Sequence, residues 1–489
     1  MDNAKVASIL LIIILYLIPT QDLAASFLFF LGFPVLVIKT IILLKEILVI
    51  GGGLYLLLNS KFSFGRKTLF VLLLYASIFI LVSPLPFLDA LVGYRTYLIL
   101  FFGFVIGENI GTQACHQTFI FTHINYALIF ILFFGVLEYY ILPEEIWLSP
   151  FPIIEMKKSI LGLTGIVEFY DTGMSANALG EVGKRVLGPF NEPLYMAYYT
   201  VILLNFIICN YIYQKSRNAI LILFGTVIIF LTQTRAIILG LILSYFYLLF
   251  QKQYIKYILY AFVLFFVVVI IFFDWFQTMA LSVVTFDGRT YGHVMAYVEG
   301  LITVTKHPFG AGVGTANTVL SYGENFQLEI FHTENAFINT AIELGILGFL
   351  LLLFTFFYLF RKFHKYMRTV KTFSDNYFIV ASGYVLMFQF IFAGFLAPHI
   401  LTGRILIPFM IVTGWAYSIV NSKEQGPPNK VEYRAQQLMN GNKNTNEFLT
   451  NRIFISLLGL IPRRLRRDVI PACFWRESIL WMPDRNIRA

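Results

Sequence analysis

Polar residues gather in one short stretch of an otherwise apolar chain, "FHTENAFINTAIELGILGF" (331–349). They are His332, Glu334, Asn335, Asn339 and Glu343. All but Glu334 are spaced three, four and four residues apart and would form one stripe on a helix, facing the bundle interior or a water-filled cavity. An imidazole and a carboxylate can accept protons, so we favour a functional role for His332 and Glu334. The residues Asn339 and Glu343 are equally well explained as contacts between helices.

Three arginines could bind phosphate oxygens, because a guanidinium group can donate two parallel hydrogen bonds to them. Arg235 ("FLTQTRAIILG") lies between apolar segments, where a charge is costly unless it reaches the membrane surface. Arg289 ("FDGRTYGHVMAYVEGL") begins a predicted short amphipathic helix. Arg185 ("GKRVLGPFNEPLYMAYY") precedes another apolar segment, together with Asn191 and Glu192. Each could be an ordinary surface charge, but two of them at one cavity would suit a pyrophosphate.

A glycine-rich loop, "HPFGAGVGTANT" (307–318), lies between the second of these arginines and the polar stretch. Its residues Gly310, Gly312 and Gly314 do not have the spacing of a nucleotide-binding loop. A tight turn at which two backbones approach closely is the better prediction. The three cysteines are far apart and show neither metal-site nor disulfide spacing.

The elements that must position these residues are membrane helices. The 489 residues are 58% hydrophobic and only 13% charged, with a mean hydropathy of +0.76. Runs such as "AFVLFFVVVIIFF" (261–273) are apolar on every face, which excludes the alternating pattern of a barrel strand. The sequence predicts an all-α polytopic membrane protein with roughly twelve transmembrane helices. The run from 24 to 58 is too long for one straight span, and its number of crossings stays open.

Short basic loops at 60–67, 214–217, 251–256 and 361–371 predict which side faces the cytoplasm. Two long loops, about 143–190 and 274–335, then lie on the outer side with all the residues named above. Residues 1–420 are predicted to form the bundle, with the first apolar run, 6–19, retained as a span. Residues 421–489 are predicted to be a basic cytoplasmic tail, flexible or bound to the membrane surface. The net charge of +9 follows from this loop distribution and does not indicate nucleic-acid binding.

Taken together, the motifs resemble the O-antigen polymerase and ligase superfamily of bacterial membrane glycosyltransferases. The resembling segments are "RVLGPFNEPLYMAYY", "LTQTRAIILGL", "DGRTYGHVMAYVEGLITVTKHPFGAGVGT" and "HTENAFINTAIELGILGF", in that order over about 185–350. The resemblance implies a multi-pass protein of the bacterial inner membrane whose active site faces the periplasm, without a metal or other cofactor. It implies a substrate linked to undecaprenyl pyrophosphate, bound by Arg235 and Arg289. It also implies that His332 is a catalytic or acceptor-orienting group, while a share of the base role for Glu334 stays open.

Within that superfamily, a polymerase adds the glycan to another lipid-linked repeat, whereas a ligase adds it to the core sugar of lipid A. We expect a polymerase, because the motifs resemble the ligases only loosely. A flippase and a chain-length regulator of the same pathway would be its partners. A transporter is the main alternative outside the superfamily, but its charges would lie on broken helices in two repeated halves, and no such repeat is visible.

Overall fold

The computed structural model describes residues 2–60, 63–111, 114–141, 156, 174–176, 182–190, 192–214, 218–251, 288–316, 335–370, 376–395 and 401–424. These residues form twelve α-helices: α1 (Asn3–Phe30), α2 (Val35–Leu58), α3 (Phe64–Val82), α4 (Phe87–Ile110), α5 (Ala114–Val136), α6 (Pro193–Gln214), α7 (Ala219–Leu231), α8 (Arg235–Gln251), α9 (Gly288–Lys306), α10 (Ala336–Thr369), α11 (Tyr377–Gly394) and α12 (Gly403–Glu424). A π-helical turn, Leu137–Ile141, extends α5. Two three-residue antiparallel strands, β1 (Met174–Ala176) and β2 (Val182–Lys184), form a small hairpin before α6.

Nine of the described helices are long and apolar enough to cross a bilayer, namely α1 to α6 and α10 to α12. The apolar helices α7 and Ala236–Tyr245 of α8 are shorter. The predicted fold class, an all-α polytopic membrane protein, is therefore confirmed. A further predicted span, at 254–273, lies outside the described residues, as do the tail from 425 onwards and much of both predicted outer loops.

The break predicted within 24–58 lies at residues 31–34, between α1 and α2. The prediction that the first span ends at residue 19 was wrong, because α1 continues through Pro19 to Phe30. A proline is tolerated inside a membrane helix when neighbouring helices hold the chain on both sides of it. In the helical turn after Pro19, Asp22 is buried and paired with Arg404 of α12. Asp22 therefore lies within α1, although it follows the apolar run 6–19 that was predicted as the first span.

Helices α4 and α12 approach each other closely at glycines. A Cβ atom at Gly107 would lie 1.9 Å from the carbonyl oxygen of Ile411, and one at Gly414 would lie 2.2 Å from that of Phe104. Glycine is the residue that allows two helix backbones this close together. At the end of this contact the buried Trp415 donates its indole N–H to the carbonyl of Gly111 (3.2 Å).

A buried polar network fixes α8 to its neighbours. Asn205 of α6 donates from Nδ2 to Oε1 of Gln389 on α11 (2.7 Å), and Gln389 donates from Nε2 to Oγ of Ser244 on α8 (2.7 Å). The hydroxyl of Tyr245, also on α8, donates to Oδ1 of Asn205. Since polar groups among apolar helices are stable only when they pair, this network determines the position of α8. The helix that it holds begins at Arg235.

Candidate functional site

Arg185 binds the turn that leads from α7 into α8. Its Nε donates to the carbonyl oxygen of Thr232 (2.8 Å), and its Nη2 lies 3.4 Å from Oγ1 of Thr234. The N–H of the next residue, Val186, donates to the carbonyl of Leu231 (3.2 Å). The chain before α6 is thereby attached to the turn directly before Arg235.

The turn between α7 and α8 is itself tightly bonded. The hydroxyl of Thr232 donates to the carbonyl of Ile229 (2.6 Å), and the N–H of Gln233 donates to that of Phe230 (2.9 Å). Gln233 has a φ of 54°, which residues with a side chain rarely adopt. Such backbone strain persists where surrounding contacts enforce it, often at functional sites. The start of α8, where Arg235 is attached, is therefore well fixed.

Glu138 holds the segment after Arg185 from the other side. It lies in the π-helical turn that extends α5 and is only 3% exposed. Its Oε2 accepts hydrogen bonds from the N–H groups of Leu187 (3.1 Å) and Gly188 (3.4 Å). Sequence reasoning did not single out Glu138, although an acid within the apolar run "FFGVLEYYI" is the available signal.

Backbone amides of the glycine loop donate hydrogen bonds that attach the loop to neighbouring helices. Gly310, Gly312 and Gly314 all have positive φ values, of 97°, 105° and 89°. The N–H groups of 311 and 312 donate to carbonyl oxygens of α10, at Ile342 (2.7 Å) and Glu343 (3.1 Å). The N–H of Val313 donates to the carbonyl oxygen of Phe79 on α3 (3.2 Å), and the N–H of Gly314 donates to Oε1 of Glu343 (3.1 Å).

These four amides are thus used within the protein, in a tight turn. A Cβ atom at Gly312 would lie 2.4 Å from Cα of Ser83, and one at Gly93 of α4 would lie 2.5 Å from Cα of Gly314. The glycines allow the backbone of the loop to approach α4 and the end of α3 closely. Their amides bond within the protein and do not form a phosphate-binding loop.

Helix α10 is kinked where the glycine loop docks. Gly345 has a φ of 71° and a ψ of 178°, so the helix is interrupted between residues 344 and 346. The carbonyl of Leu344 accepts from the hydroxyl of Tyr75 (3.2 Å), and the N–H of Ile346 donates to the carbonyl of Pro308 (3.0 Å). The backbone groups freed by the kink are therefore satisfied by α3 and by the loop.

The described residues of the polar stripe face the protein interior. Asn335, Asn339 and Glu343 are each less than 10% exposed. Glu343 accepts a hydrogen bond from the hydroxyl of Tyr97 on α4 (2.8 Å) as well as from the glycine loop. Its observed contacts are thus contacts between elements, one of the two roles that the sequence left open.

Asn335 caps α10 rather than lying within it. Its Oδ1 accepts from the N–H groups of Phe337 (2.8 Å) and Ile338 (3.0 Å), and its Nδ2 donates to the carbonyl of Phe395 (3.2 Å). The described helix begins at Ala336, and His332, which the sequence predicts on the same stripe, lies outside the described residues. An asparagine with extended backbone is a favourable N-cap, and its bonds satisfy the first helical amides.

A second charged cluster was missed by sequence reasoning. Arg404, at the beginning of α12, donates from Nη1 and Nη2 to the two carboxylate oxygens of Asp22 (2.5 and 2.8 Å), and its guanidinium lies over the ring of Tyr195 (4.7 Å). Glu46 of α2 pairs with Arg95 of α4 (3.0 Å) and with Lys45 (3.5 Å). A single sequence does not show which charged residues pair in the fold. In the sequence, these residues could therefore be interpreted only as isolated charges in apolar runs.

The Asp22–Arg404 pair also shows which helix ends lie on the same side of the bundle. It joins the last turns of α1 to the first turn of α12. Glu192, which directly precedes α6, interacts electrostatically with the same arginine. The last turns of α1 and the beginnings of α6 and α12 therefore lie on one side of the bundle.

Not every buried charge lies on that side. Arg66, at the beginning of α3, is paired with Glu108 near the end of α4 and also bonds to Ser60. This pair lies at the side that the basic loops predict to be cytoplasmic. The sequence interpretation, which placed the notable polar residues at one face only, was incomplete for this reason.

Several predicted site residues lie outside what the structure describes. They are His332, Glu334 and Asn191, and the side chains of Arg235 and Arg289. Arg289 is the second residue of α9, so a helix is present where the sequence predicts an amphipathic one. Of the three predicted phosphate-binding arginines, the structure brings Arg185 to the start of the helix that carries Arg235.

The fold and these positions define a multi-pass helical membrane protein with arginines at the ends of its helices. In a comparison with known families, residues 219–353 match the family model described as O-antigen ligase. The match confirms the resemblance to the O-antigen polymerase and ligase superfamily. It includes Arg235, Arg289, the glycine loop and the polar stretch from His332 to Glu343, whereas Arg185 precedes it. A search among curated proteins found no match for this chain.

Proposed function

We propose that the protein is a glycosyltransferase that moves a glycan from undecaprenyl pyrophosphate to an acceptor sugar hydroxyl at the outer leaflet of the bacterial inner membrane. The observation that carries this proposal is the attachment of Arg185 to the turn directly before Arg235. Two guanidinium-bearing positions from separate parts of the chain are thereby close together. Glu192, which interacts electrostatically with the partly buried Arg404, belongs to the same segment as Arg185.

In the proposed reaction, the acceptor hydroxyl oxygen attacks the anomeric carbon and the bond from that carbon to the phosphate oxygen breaks. Undecaprenyl pyrophosphate leaves with the electron pair, and Arg235 and Arg289 stabilise the charge that develops on it. His332, or His332 together with Glu334, accepts the proton of the hydroxyl. A single displacement inverts the anomeric centre, and the pyrophosphate linkage is already activated, so no nucleotide is consumed.

The described residues near these positions have a supporting part in the proposal. Arg185 positions the turn before Arg235 through its bonds to Thr232 and Thr234, and we propose that it contributes to the same pyrophosphate site. The glycine loop, Glu343 and Asn335 hold the beginning of α10, which directly follows His332 and Glu334. The membrane lipids and the lipid-linked glycan are the proposed partners, together with a flippase and a chain-length regulator.

The experiment is complementation of a strain that lacks the gene, with surface glycans separated on a gel. Arg235→Ala and Arg289→Ala are expected to abolish chain elongation while the protein is still inserted at normal abundance. Arg361→Ala is the matched control, because Arg361 is an exposed arginine far along α10. Normal glycan chains made by an abundant Arg289→Ala variant would refute the proposed role.

The same gel separates the two acceptors. Loss of a polymerase leaves single repeats attached to the core, whereas loss of a ligase leaves no glycan on the core. We propose the polymerase, and the description of the matched family model is the observation that favours a ligase as the second candidate.

A further inference from the structure

Helix α9 has an exposed apolar stripe. Its members are Val294, Met295, Val298, Leu301 and Ile302, between 36% and 56% exposed. At 3.6 residues per turn they occupy about one third of the circumference of the helix. A soluble protein rarely exposes such a contiguous apolar surface without a partner.

The opposite face of α9 packs on the beginning of α10. Tyr297 and Val304 of α9 contact the small cluster formed by Ile338 and Ile342 of α10 and Ala316 of the glycine loop. This part of α10 precedes the kink at Gly345 and lies at one end of a membrane span. Helix α9 therefore lies beside the end of a span, and it is not among the helices that are apolar enough to cross a membrane.

The chain after α9 leads from the apolar stripe to the lipid-facing part of α10. Phe309, three residues after the end of α9, is 87% exposed, and its backbone touches Gly345 at the kink. Directly after the kink, α10 exposes a helical row of apolar side chains: Ile346, Leu350, Phe354 and Phe357. That row belongs to a membrane span, so lipid is its natural surrounding.

Charged residues border the stripe on one flank. Glu299 and Lys306 are exposed, and helical spacing places both between the apolar stripe and the packed face of α9. An apolar face bordered by charges is the pattern of a helix that lies in the plane of a membrane surface.

We propose that α9 lies along the outer membrane surface, with its apolar stripe and Phe309 inserted into bilayer lipid. Such a helix places its apolar face about 5–10 Å into the boundary between headgroups and acyl chains. The occupant of the stripe is thus lipid, because α9 packs beside the end of a membrane span and the exposed Phe309 lies at the kink where the lipid-facing row of α10 begins. One consequence, which rests on the proposed function, is that Arg289 at the start of α9 is held near the depth of a lipid-linked pyrophosphate.

The experiment measures depth by fluorescence. Single cysteines are introduced at Val298, Leu301 and Phe309, in full-length protein whose Cys115, Cys209 and Cys473 are replaced by alanine, and are labelled with an environment-sensitive dye. The labelled proteins are reconstituted in phospholipid vesicles and quenched either by spin-labelled lipids or by aqueous iodide. Glu299→Cys and Lys306→Cys are the flank controls, and Leu350→Cys is the control for a lipid-facing position.

Labels at Val298, Leu301 and Phe309 are expected to be quenched more by lipid than by iodide, with shallow spin labels more effective than deep ones. The flank controls are expected to show the reverse preference, and Leu350 is expected to respond to the deeper labels. Strong iodide quenching along the stripe would overturn the proposal, since the helix would then lie in water. Protection from both quenchers would also overturn it, because protein, such as a second copy of the chain, would then cover the stripe. The fluorescence does not depend on catalysis, so this result and the test of the proposed function stand or fall separately.

Discussion

Buried carboxylates hold this protein together at the scale of single residues. Glu138 accepts from two backbone amides, Glu343 joins α4 and the glycine loop to α10, and Asp22 pairs with Arg404. The spacing of the polar stripe predicted that Glu343 faces inward. It could not predict Tyr97 as the partner, because the two residues are 246 positions apart and a single sequence does not show which distant residues meet.

Replacement of Glu138 tests whether it positions the segment that carries Arg185. In Glu138→Ala, two buried N–H groups lose their acceptor, at a cost of about 1–3 kcal/mol for an unsatisfied group. Glycan chains made by this variant are expected to be shorter or absent at normal protein abundance. Glu138→Gln keeps an oxygen that can accept both bonds and is expected to retain most activity. Equal activity of Glu138→Ala and wild-type protein would show that the contact is dispensable.

The Asp22–Arg404 pair is expected to matter for stability more than for chemistry. Asp22→Ala removes the carboxylate that pairs with the partly buried Arg404 guanidinium, which costs up to about 3–5 kcal/mol, the loss for one partner of a fully buried pair. Thermal unfolding of the protein in detergent should therefore begin at a clearly lower temperature. The double variant Asp22→Leu, Arg404→Met removes both charges and is expected to recover most of the loss. If the double variant is no more stable than Asp22→Ala, the pair is not the reason for the destabilisation.

At the scale of elements, the glycine loop and the kinked α10 form one unit. The sequence predicted a tight turn at Gly310, Gly312 and Gly314, because glycine is the residue for positive φ and close approach. It did not predict the kink at Gly345, since the same glycine is compatible with close packing inside a straight helix. Only the structure shows why the kink is stable: Tyr75 and Pro308 form hydrogen bonds with the backbone groups that the kink leaves without helical partners.

Two glycine-to-alanine substitutions with opposite expected effects test this unit. In Gly312→Ala, the new Cβ would lie 2.4 Å from Cα of Ser83, on a backbone with a φ of 105°, so the loop must shift. The strain of that φ alone is about 1–3 kcal/mol, and unfolding should occur at a lower temperature with loss of activity. Gly51→Ala, on α2, brings the new Cβ within 4 Å of no other element of the fold and should stabilise its helix by about 0.5–1 kcal/mol. Equal stability of the two variants would contradict the proposed tight docking.

At the scale of the whole molecule, composition and apolar runs were sufficient to predict the fold class, because the bilayer imposes helices of a known length. The boundary between the first two helices was less predictable. Pro19 and Asp22 resemble a turn in the sequence, and only the partner of Asp22 on α12 shows why the helix continues. For the site, residue types and motif order indicated the chemistry, while the contact of Arg185 with the turn at 232–234 required the structure.

The predicted topology can be tested with reporter fusions. A green fluorescent protein fused after Lys215 is expected to fluoresce, because the loop at 214–217 should face the cytoplasm, where this reporter folds. Alkaline phosphatase fused after Glu168 is expected to be active, because that reporter requires the outer side. The exchanged reporters serve as controls and should be silent. The reverse pattern would place the arginines on the wrong side for the proposed substrate.

The central claim is that arginines from separate segments bind one diphosphate. Its most direct test is the affinity of the purified protein for undecaprenyl pyrophosphate, measured in detergent or nanodiscs for wild-type, Arg235→Ala, Arg289→Ala and Arg361→Ala proteins. Each removed charge-assisted contact is worth about 1.5–3 kcal/mol, so the first two variants should bind about tenfold or more weakly, with Arg361→Ala unchanged. Wild-type affinity in correctly folded Arg235→Ala and Arg289→Ala proteins would contradict the claim.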